Sequence, residues 1–411
     1  MTSGRDGYCR SCGSQLRVTF ADLRHSPLAN SFLTVEQLGK PEIYYPLHAM
    51  VCDRCFLVQL ETSIAPGAIF EEYLYFSSHS SSWLEHARLY CEAMITRLSL
   101  DSSSLVVEVA SNDGYLLKNF VSAGIPVLGV EPARNIAQVA IERGIPTKNV
   151  FFGSAAAASL RDEGHVPALV CANNVLAHVP DINDFVRGFR HLLTPSAVAT
   201  LEFPHVLNLI RDNQFDTIYH EHYSYLSLLA VERLLSRHGL EVFDVDQLVT
   251  HGGSLRIYLA HRGARKIESS VEAVRALEAE ARLDQLDTYS TFAERVVKLK
   301  GDVLEFFVRS IRDERKIVGY GAPAKGNTLL NYCGIGREFL PFTVDRSPQK
   351  QGLYLPGTHV PILAPDAILE AKPDYIFILP WNLRPEIVSQ LEGVRAFGAK
   401  FVTAIPEIRV W

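Results

Sequence analysis

Residues 105–134, LVVEVASNDGYLLKNFVSAGIPVLGVEPAR, constrain the fold of this chain more than any other stretch. An apolar run over 105–110 stops at a turn of Ser111, Asn112, Asp113 and Gly114. Apolar residues then recur at helical spacing through Leu116, Leu117 and Phe120. A second apolar run over 126–130 ends at Glu131. The pattern is strand, tight turn, helix, strand, with an acid closing the second strand. Such a unit presents its turn to a nucleotide-like ligand, while the acid accepts hydrogen bonds from ribose hydroxyls. The turn departs from the G-x-G-x-x-G of a dinucleotide site, because Ala110 and Asn112 replace two glycines. The alternative is an ordinary βαβ unit with a polar turn.

A chain of 411 residues has room for two or three such domains. Hydrophobic content of 47% against 21% charged supplies an ordinary globular core. A net charge of -6 argues against a nucleic-acid surface, which needs a basic stripe. No apolar run approaches the length of a membrane span, so no membrane association is expected. Residues 1–14 carry no apolar core, so no signal peptide is expected there and the cytoplasm is the expected location. Disulfides are rare in that compartment, so the seven cysteines are thiols or metal ligands.

Four of them form two C-x-x-C knuckles, Cys9 with Cys12 and Cys52 with Cys55. Each knuckle places two thiolates within reach of one ion, and two knuckles complete a closed four-thiolate zinc site. Four protein ligands leave no open position, so the expected role is structural. The gap between the knuckles predicts a sizeable loop pinned by the metal. Cys91, Cys171 and Cys333 lie in apolar surroundings and read as core residues.

Residues 69–83, IFEEYLYFSSHSSSW, are a polar aromatic linker able to line a cleft or simply to pack on the surface. A helix is expected over 83–98, from the spacing of Leu84, Ala87, Cys91, Met94 and Leu98. Beyond the opening unit come a helix over 135–143 closed by Gly144 and a short strand over 150–152. A central strand over 168–172 ends at Asn173 and Asn174, where a nucleotide cleft opens in an α/β sheet. A helix over 182–193 and strands over 197–203, 241–245 and 254–260 complete a doubly wound sheet with an antiparallel edge. Residues 271–312 read as one or two long helices. A second α/β unit follows, with strands over 316–319, 339–344, 374–379 and 400–405 and a helix after Pro385. Its first turn runs from Gly319 to Gly326, and its second strand ends at Asp345.

The segment IYHEHYSYL over 218–226 carries the densest chemistry. His220, Glu221 and His222 do not make the H-E-x-x-H zinc pattern, although the two histidines could chelate a metal from a loop or strand. A proton-transfer site is the second reading, since histidine titrates near neutrality and a neighbouring carboxylate can orient it and raise its basicity. A polar turn with satisfied histidines is the third.

The ordered set CRSCG, CDRC, YLYFSSHSSSW, EVASNDGYL, GVEPA, NNVLAHVPD, YHEHYSYLS, HGGSLRIY and GYGAPAKGNTLLN closely resembles sugar-nucleotide C-methyltransferases of antibiotic deoxysugar biosynthesis. The likeness is strongest to the group that methylates carbon 3 of a dTDP-4-keto-deoxyhexose, and it spans essentially the whole chain. The resemblance implies an α/β protein in three parts. These are an N-terminal zinc-binding domain over 1–68, a central class I methyltransferase (Rossmann-like) domain over 69–262, and a helical linker with a C-terminal Rossmann-like sugar-nucleotide-binding domain over 263–411. The implied cofactors are S-adenosylmethionine and a structural Zn2+. The missing glycines at Ala110 and Asn112 suit that donor, since no pyrophosphate must press against the backbone.

Carried over by motif position, the general base is His222, with Glu221 beside it. Tyr219, Tyr73 and His178 are candidates for binding the keto oxygen or orienting the base. The donor is assigned to Ala110, Ser111, Asn112, Gly114, Glu131, Pro132, Asn173 and Asn174, with Phe76 and Ser80 closing over it. The sugar nucleotide is assigned to Tyr223, Ser254, Arg256, Tyr320, Gly321, Lys325, Asn327 and Asp345, Lys325 serving as a point charge for diphosphate. Three alternatives stand beside this reading: methylation at another sugar carbon such as carbon 5, an NAD-linked sugar-nucleotide oxidoreductase using the second unit, and a zinc-dependent binding module without catalysis. The sequence leaves the oligomeric state open, with a monomer as one reading.

Overall fold

The computed structural model describes residues 7–62, 64, 78 and 81–411. The gap between the two knuckles is not the loop expected from the sequence. It folds into strands β1 (Val18–Ser26) and β2 (Tyr45–Val51), paired antiparallel, and β2 pairs with β3 (Val58–Leu60) just past the second knuckle. Two irregularities in the β1 register break the alternation that would have announced the strand. Phe20 of β1 stacks at 4.4 Å on Phe292 of the long helix Leu286–Arg312. Both rings are fully buried, a burial that contributes about 2–3 kcal/mol per ring.

The central sheet is built as its periodicity predicts. Strands β4 (Val106–Val109), β5 (Val127–Val130), β6 (Thr147–Lys148), β7 (Leu169–Asn173) and β8 (Val198–Pro204) are parallel. Strand β9 (Ser224–Tyr225) leaves this region and pairs with β3, so the first sheet is completed by a later segment of chain. Strands β10 (Leu240–Leu248) and β11 (Ser254–His261) form the antiparallel edge, in the order β10-β11-β8-β7-β4-β5-β6. The strand expected over 150–152 lies earlier, at β6. Phe152 instead packs edge-on against Phe185 and Phe189 at 5.5 and 5.2 Å, on the buried face of the helix Ile182–Leu192.

Two helices, Ser269–Glu280 and Leu286–Arg312, bridge to the second α/β unit. Its strands are β12 (Ile317–Tyr320), β13 (Thr343–Val344), β14 (Ile362–Leu363), β15 (Tyr375–Ile378), β16 (Lys400–Thr403) and β17 (Arg409–Val410), ordered β14-β13-β12-β15-β16-β17. The strand expected over 339–344 keeps only β13, because Phe339 and Leu340 turn back to hydrogen-bond the Gly336 carbonyl. Side chains and backbone tie the three parts together. Leu33 and Tyr354 exchange backbone hydrogen bonds, and Glu42 accepts from Gly357 N–H and the His359 ring. Buried Glu278 of the bridging helix meets His205 at 2.7 Å and caps the helix Leu228–Arg237 through Leu228 and Leu229 N–H. Among the described residues no helix is long and apolar enough to cross a membrane.

Candidate active site

The two knuckles converge. The Sγ atoms of Cys9, Cys12, Cys52 and Cys55 all lie within 4.8 Å of one another, with Cys9–Cys55 at 3.4 Å and Cys12–Cys52 at 3.5 Å. Metal–sulfur bonds of about 2.3 Å in a tetrahedron set sulfur–sulfur edges of about 3.8 Å, so this donor set fits zinc. Contact with Cys52 and Cys55 lowers the Cys9 thiol, while contact with Cys52 and Cys9 raises Cys55, so the crowded thiols share their protons, which a bound metal would displace. The cluster fills all four positions with protein, as a structural site requires.

At the C-terminal ends of β4, β5 and β7 the chain makes a set of tight polar turns. Ala110 and Asn112 adopt left-handed backbones, φ +54° and +49°, at positions where glycine is the usual solution. Gly114 has φ +77°, and a Cβ there would stand 2.7 Å from Ile145, so glycine is required. Glu131 closes the turn by accepting from Asn112 N–H at 2.9 Å and Ala133 N–H at 2.8 Å. Burial pushes its carboxyl up, against those two hydrogen bonds. Asn174 is also left-handed, φ +57°. Among the described residues Ser111 Oγ, Asp113 Oδ1, Asn173 Oδ1 and both amide atoms of Asn174 are buried without a hydrogen-bond partner. Unmet polar atoms grouped around strand ends fit a polar nucleoside ligand such as S-adenosylmethionine. Ser111, however, tucks its hydroxyl over Gly129, where a Cβ would meet it at 2.4 Å. Pro132 continues the turn behind Glu131, its carbonyl accepting from Asn149.

His222 lies beyond these turns. A tight turn from Tyr219 to His222, closed by His222 N–H to the Tyr219 carbonyl at 2.9 Å, brings the two rings to a 4.0 Å centroid distance. His222 Nδ1 is 2.9 Å from the Thr217 carbonyl, which can only accept, so Nδ1 carries the proton. The Nε2 lone pair then accepts from the Tyr219 hydroxyl at 2.7 Å. Burial, with His178, Lys325 and His251 nearby, holds the imidazolium well below its usual range, so the half-buried ring is neutral. His178 packs edge-on at 4.6 Å, and burial lowers it to about 4.

The C-terminal unit supplies the cation. Lys325 Nζ donates to Asn382 Oδ1 at 2.9 Å and sits 4.7 Å above the Trp381 ring. Trp381 Nε1–H donates to Asp216 Oδ2 at 2.7 Å. Burial pushes the Asp216 carboxyl up to about 6, opposed by Lys325. Burial lowers Lys325, opposed in turn by Asp216.

Several expected site residues are placed differently. Glu221 does not orient His222. Its buried carboxylate accepts from Asn30 Nδ2 at 2.5 Å, and the Thr217 carbonyl takes the orienting position instead. Tyr223 is fully buried, its hydroxyl donating to the Ile64 carbonyl. Ser254 is buried and donates to the Thr250 carbonyl, and Arg256 is spent on Glu202 at 3.0 Å, with His86 alongside. Tyr320 is buried and donates to Gln390, and Asn327 is buried with both amide atoms lacking partners among the described residues. Asp345 caps its own turn, accepting from Ala322 and Ser347 N–H. A Cβ on Gly321 would meet Pro380 at 2.5 Å, so the first turn of the second unit packs closely against the chain that follows its strand Tyr375–Ile378. Tyr73, Phe76 and Ser80 lie outside the described residues. Thr217, Asp216, Trp381 and His251 went unread in the sequence; only His251, beside two glycines, carried a local signal.

Family models cover most of the chain: a putative zinc binding domain over 9–70, a methyltransferase domain over 83–245 and a C-methyltransferase C-terminal domain over 249–406. The C-methyltransferase NovU of Streptomyces niveus is 36% identical over 403 residues, 98% of this chain and 96% of the relative. Among solved structures, the magnesium protoporphyrin IX methyltransferase of Synechocystis PCC 6803 aligns at a TM-score of 0.35 and 14% identity, covering 43% of this chain and 83% of that one. An S-adenosylmethionine-dependent methyltransferase of Anabaena variabilis aligns at 0.35 and 12%, covering 49% and 100%. With the likeness to NovU running almost end to end, this chain belongs to the C-methyltransferase family and is an S-adenosylmethionine-dependent C-methyltransferase with a four-cysteine zinc-binding domain.

Proposed function

We propose that this enzyme methylates carbon 3 of a dTDP-4-keto-deoxyhexose in the cytoplasm, with His222 as general base. The carrying observation is the single tautomer of His222: proton on Nδ1 against Thr217, lone pair on Nε2 toward Tyr219. A ketone at carbon 4 acidifies the hydrogen at carbon 3, and a neutral imidazole can take it. The C–H pair moves into a carbon–carbon double bond, and the carbonyl pair moves onto oxygen. S-adenosylmethionine, when bound, supplies an electrophilic methyl carbon.

The remaining work falls to the chain. Nε2 receives the proton, and Tyr219 must yield that lone pair when substrate arrives. The Thr217 carbonyl keeps the ring from turning. Lys325 brings positive charge to an anionic substrate in a site where burial strengthens it. Asn173, Asn174 and Glu131 hold the donor, and His178, with Tyr73 from outside the described residues, is the candidate to bind the keto oxygen or orient the base. The domain limits 1–68, 69–262 and 263–411 follow the same reading.

Carbon 5 also lies next to the ketone, so the same base would serve there. An NAD-linked oxidoreductase is the less favoured reading, because the likeness to a C-methyltransferase runs almost end to end. The test is to incubate the enzyme with 4-keto sugar nucleotides bearing hydroxyl or amino groups at carbon 3 and a 13C-methyl donor, and to locate the label by NMR. Label on carbon 3 supports the proposal. Label on another carbon, or none, overturns it.

A further inference from the structure

The loop joining β10 to β11 holds a third histidine in an unfavourable backbone. His251 has φ +54° and ψ +23°, a left-handed conformation that strains a residue bearing a full side chain. The neighbours over-determine it. Gln214 Nε2 donates to the Gly252 carbonyl at 2.8 Å, Gly253 N–H returns to the Thr250 carbonyl at 2.9 Å, and His205 N–H reaches the Gly253 carbonyl at 3.0 Å. A Cβ on Gly252 would stand 2.6 Å from Trp381, and one on Gly253 would stand 2.2 Å from Asn208. The two glycines let the loop close against both the central domain and the C-terminal unit, and that closure fixes His251.

The ring lies where the halves of the site meet. Trp83, itself 6.2 Å from the Tyr115 ring beside the donor turn, packs edge-on against it at 5.1 Å. Glu202 and His86 from the central domain and Lys325 from the C-terminal unit act on its charge. It acts in turn on His222 and His178. Burial is the largest influence and keeps the ring neutral. Among the described residues its Nδ1 is buried with no hydrogen-bond partner. A strained backbone carrying an unsatisfied nitrogen is retained where a ligand completes the site.

We infer that His251 is a further catalytic residue, a neutral imidazole that donates a hydrogen bond to the carbon 4 oxygen as His222 withdraws the neighbouring proton. The inference rests on the reading of the cleft as a site of proton abstraction beside a ketone. A neutral ring suits that task, because its weakly acidic N–H donates to the developing oxyanion without handing over its proton.

Two substitutions separate catalysis from structure. His251→Gly relieves the left-handed backbone and removes the ring. His251→Asn tolerates the same backbone and keeps a donor. Methyl transfer to the 4-keto sugar nucleotide, S-adenosylhomocysteine affinity by calorimetry and Tm are measured for both variants, the wild type and His222→Asn. His251→Gly should keep its Tm and bind S-adenosylhomocysteine within about twofold of wild type, with kcat reduced roughly 10²- to 10³-fold, the usual loss for one oxyanion donor. His251→Asn should recover at least about tenfold of that. A kcat for His251→Gly within about threefold of wild type, or an Asn variant no faster than the Gly variant, overturns the inference. His222→Asn at the wild-type rate would instead overturn the base assignment, and leaves the His251 comparison readable against wild type.

Discussion

The Tyr219 hydroxyl and His222 Nε2 stand 2.7 Å apart, three residues apart in one tight turn. With Nδ1 committed to Thr217, this contact leaves Nε2 as the atom that carries the ring's lone pair. Under the proposed mechanism it would also give a protonated His222 an oxygen to donate to, once the hydroxyl rotates.

Tyr219→Phe keeps the ring packing and removes that oxygen. A hydrogen bond to a charged group contributes about 1.5–3 kcal/mol, so kcat should fall roughly 10- to 100-fold with little change in donor affinity. Steady-state kinetics of the variant are the check. An unchanged kcat would mean that Tyr219 only packs.

The histidines set the pH behaviour. His178 and His251 are lowered from 6.5 to about 4 and His222 lies well below 6.5, in each case chiefly through burial. The unfolded chain therefore binds more protons than the folded one as pH falls from about 6.5 toward 4, and stability is lost across that window. Tm should decline on acidification there, and less steeply in His178→Asn. The acid limb of kcat/KM should lie well below the ordinary imidazole value. A limb centred near 6.5 would contradict the neutral cleft.

Zinc should be present at about one per chain, because four thiols within 4.8 Å of one another match one tetrahedral site. Cys9→Ser should lose the metal and lower Tm while S-adenosylhomocysteine still binds. The knuckle is docked on the central domain, where Asn183 and Arg237 donate to the Ser11 carbonyl, so its loss loosens an edge and not the proposed donor site. Elemental analysis of freshly purified protein decides; absence of zinc would refute the site.

Glu131→Ala should weaken S-adenosylhomocysteine binding about tenfold or more, and sugar-nucleotide binding much less, because two backbone N–H groups lose their acceptor within the donor turn. Titration calorimetry with both ligands tests it. Equal affinity for S-adenosylhomocysteine would remove Glu131 from the donor site.

The central sheet was legible because its strands are continuous apolar runs ending at polar turns, and β4, β5, β7, β8, β10 and β11 fall where periodicity places them within a few residues. The knuckles were legible from spacing alone. The N-terminal sheet was not, because the β1 bulges break its alternation and its partners arrive from distant segments, β9 and Phe292. The group that orients the His222 ring was also hidden. It is a backbone carbonyl, at Thr217, and no side-chain pattern reports which carbonyl a ring will meet. Glu221 looked like that partner by adjacency, but neighbouring side chains in a turn diverge, and its carboxylate went to Asn30. Trp381 and Asp216 meet across 165 positions, beyond the reach of any local motif.

The most direct measurement compares wild-type enzyme with His222→Asn in methyl transfer to carbon 3 of the dTDP-4-keto sugar, with labelled donor and S-adenosylhomocysteine affinity taken in parallel. Asparagine keeps polarity but cannot take the proton. The account predicts turnover lower by about two to four orders of magnitude with the fold and both ligands retained, the usual contribution of a positioned general base. Methylation by His222→Asn at the wild-type rate would contradict it.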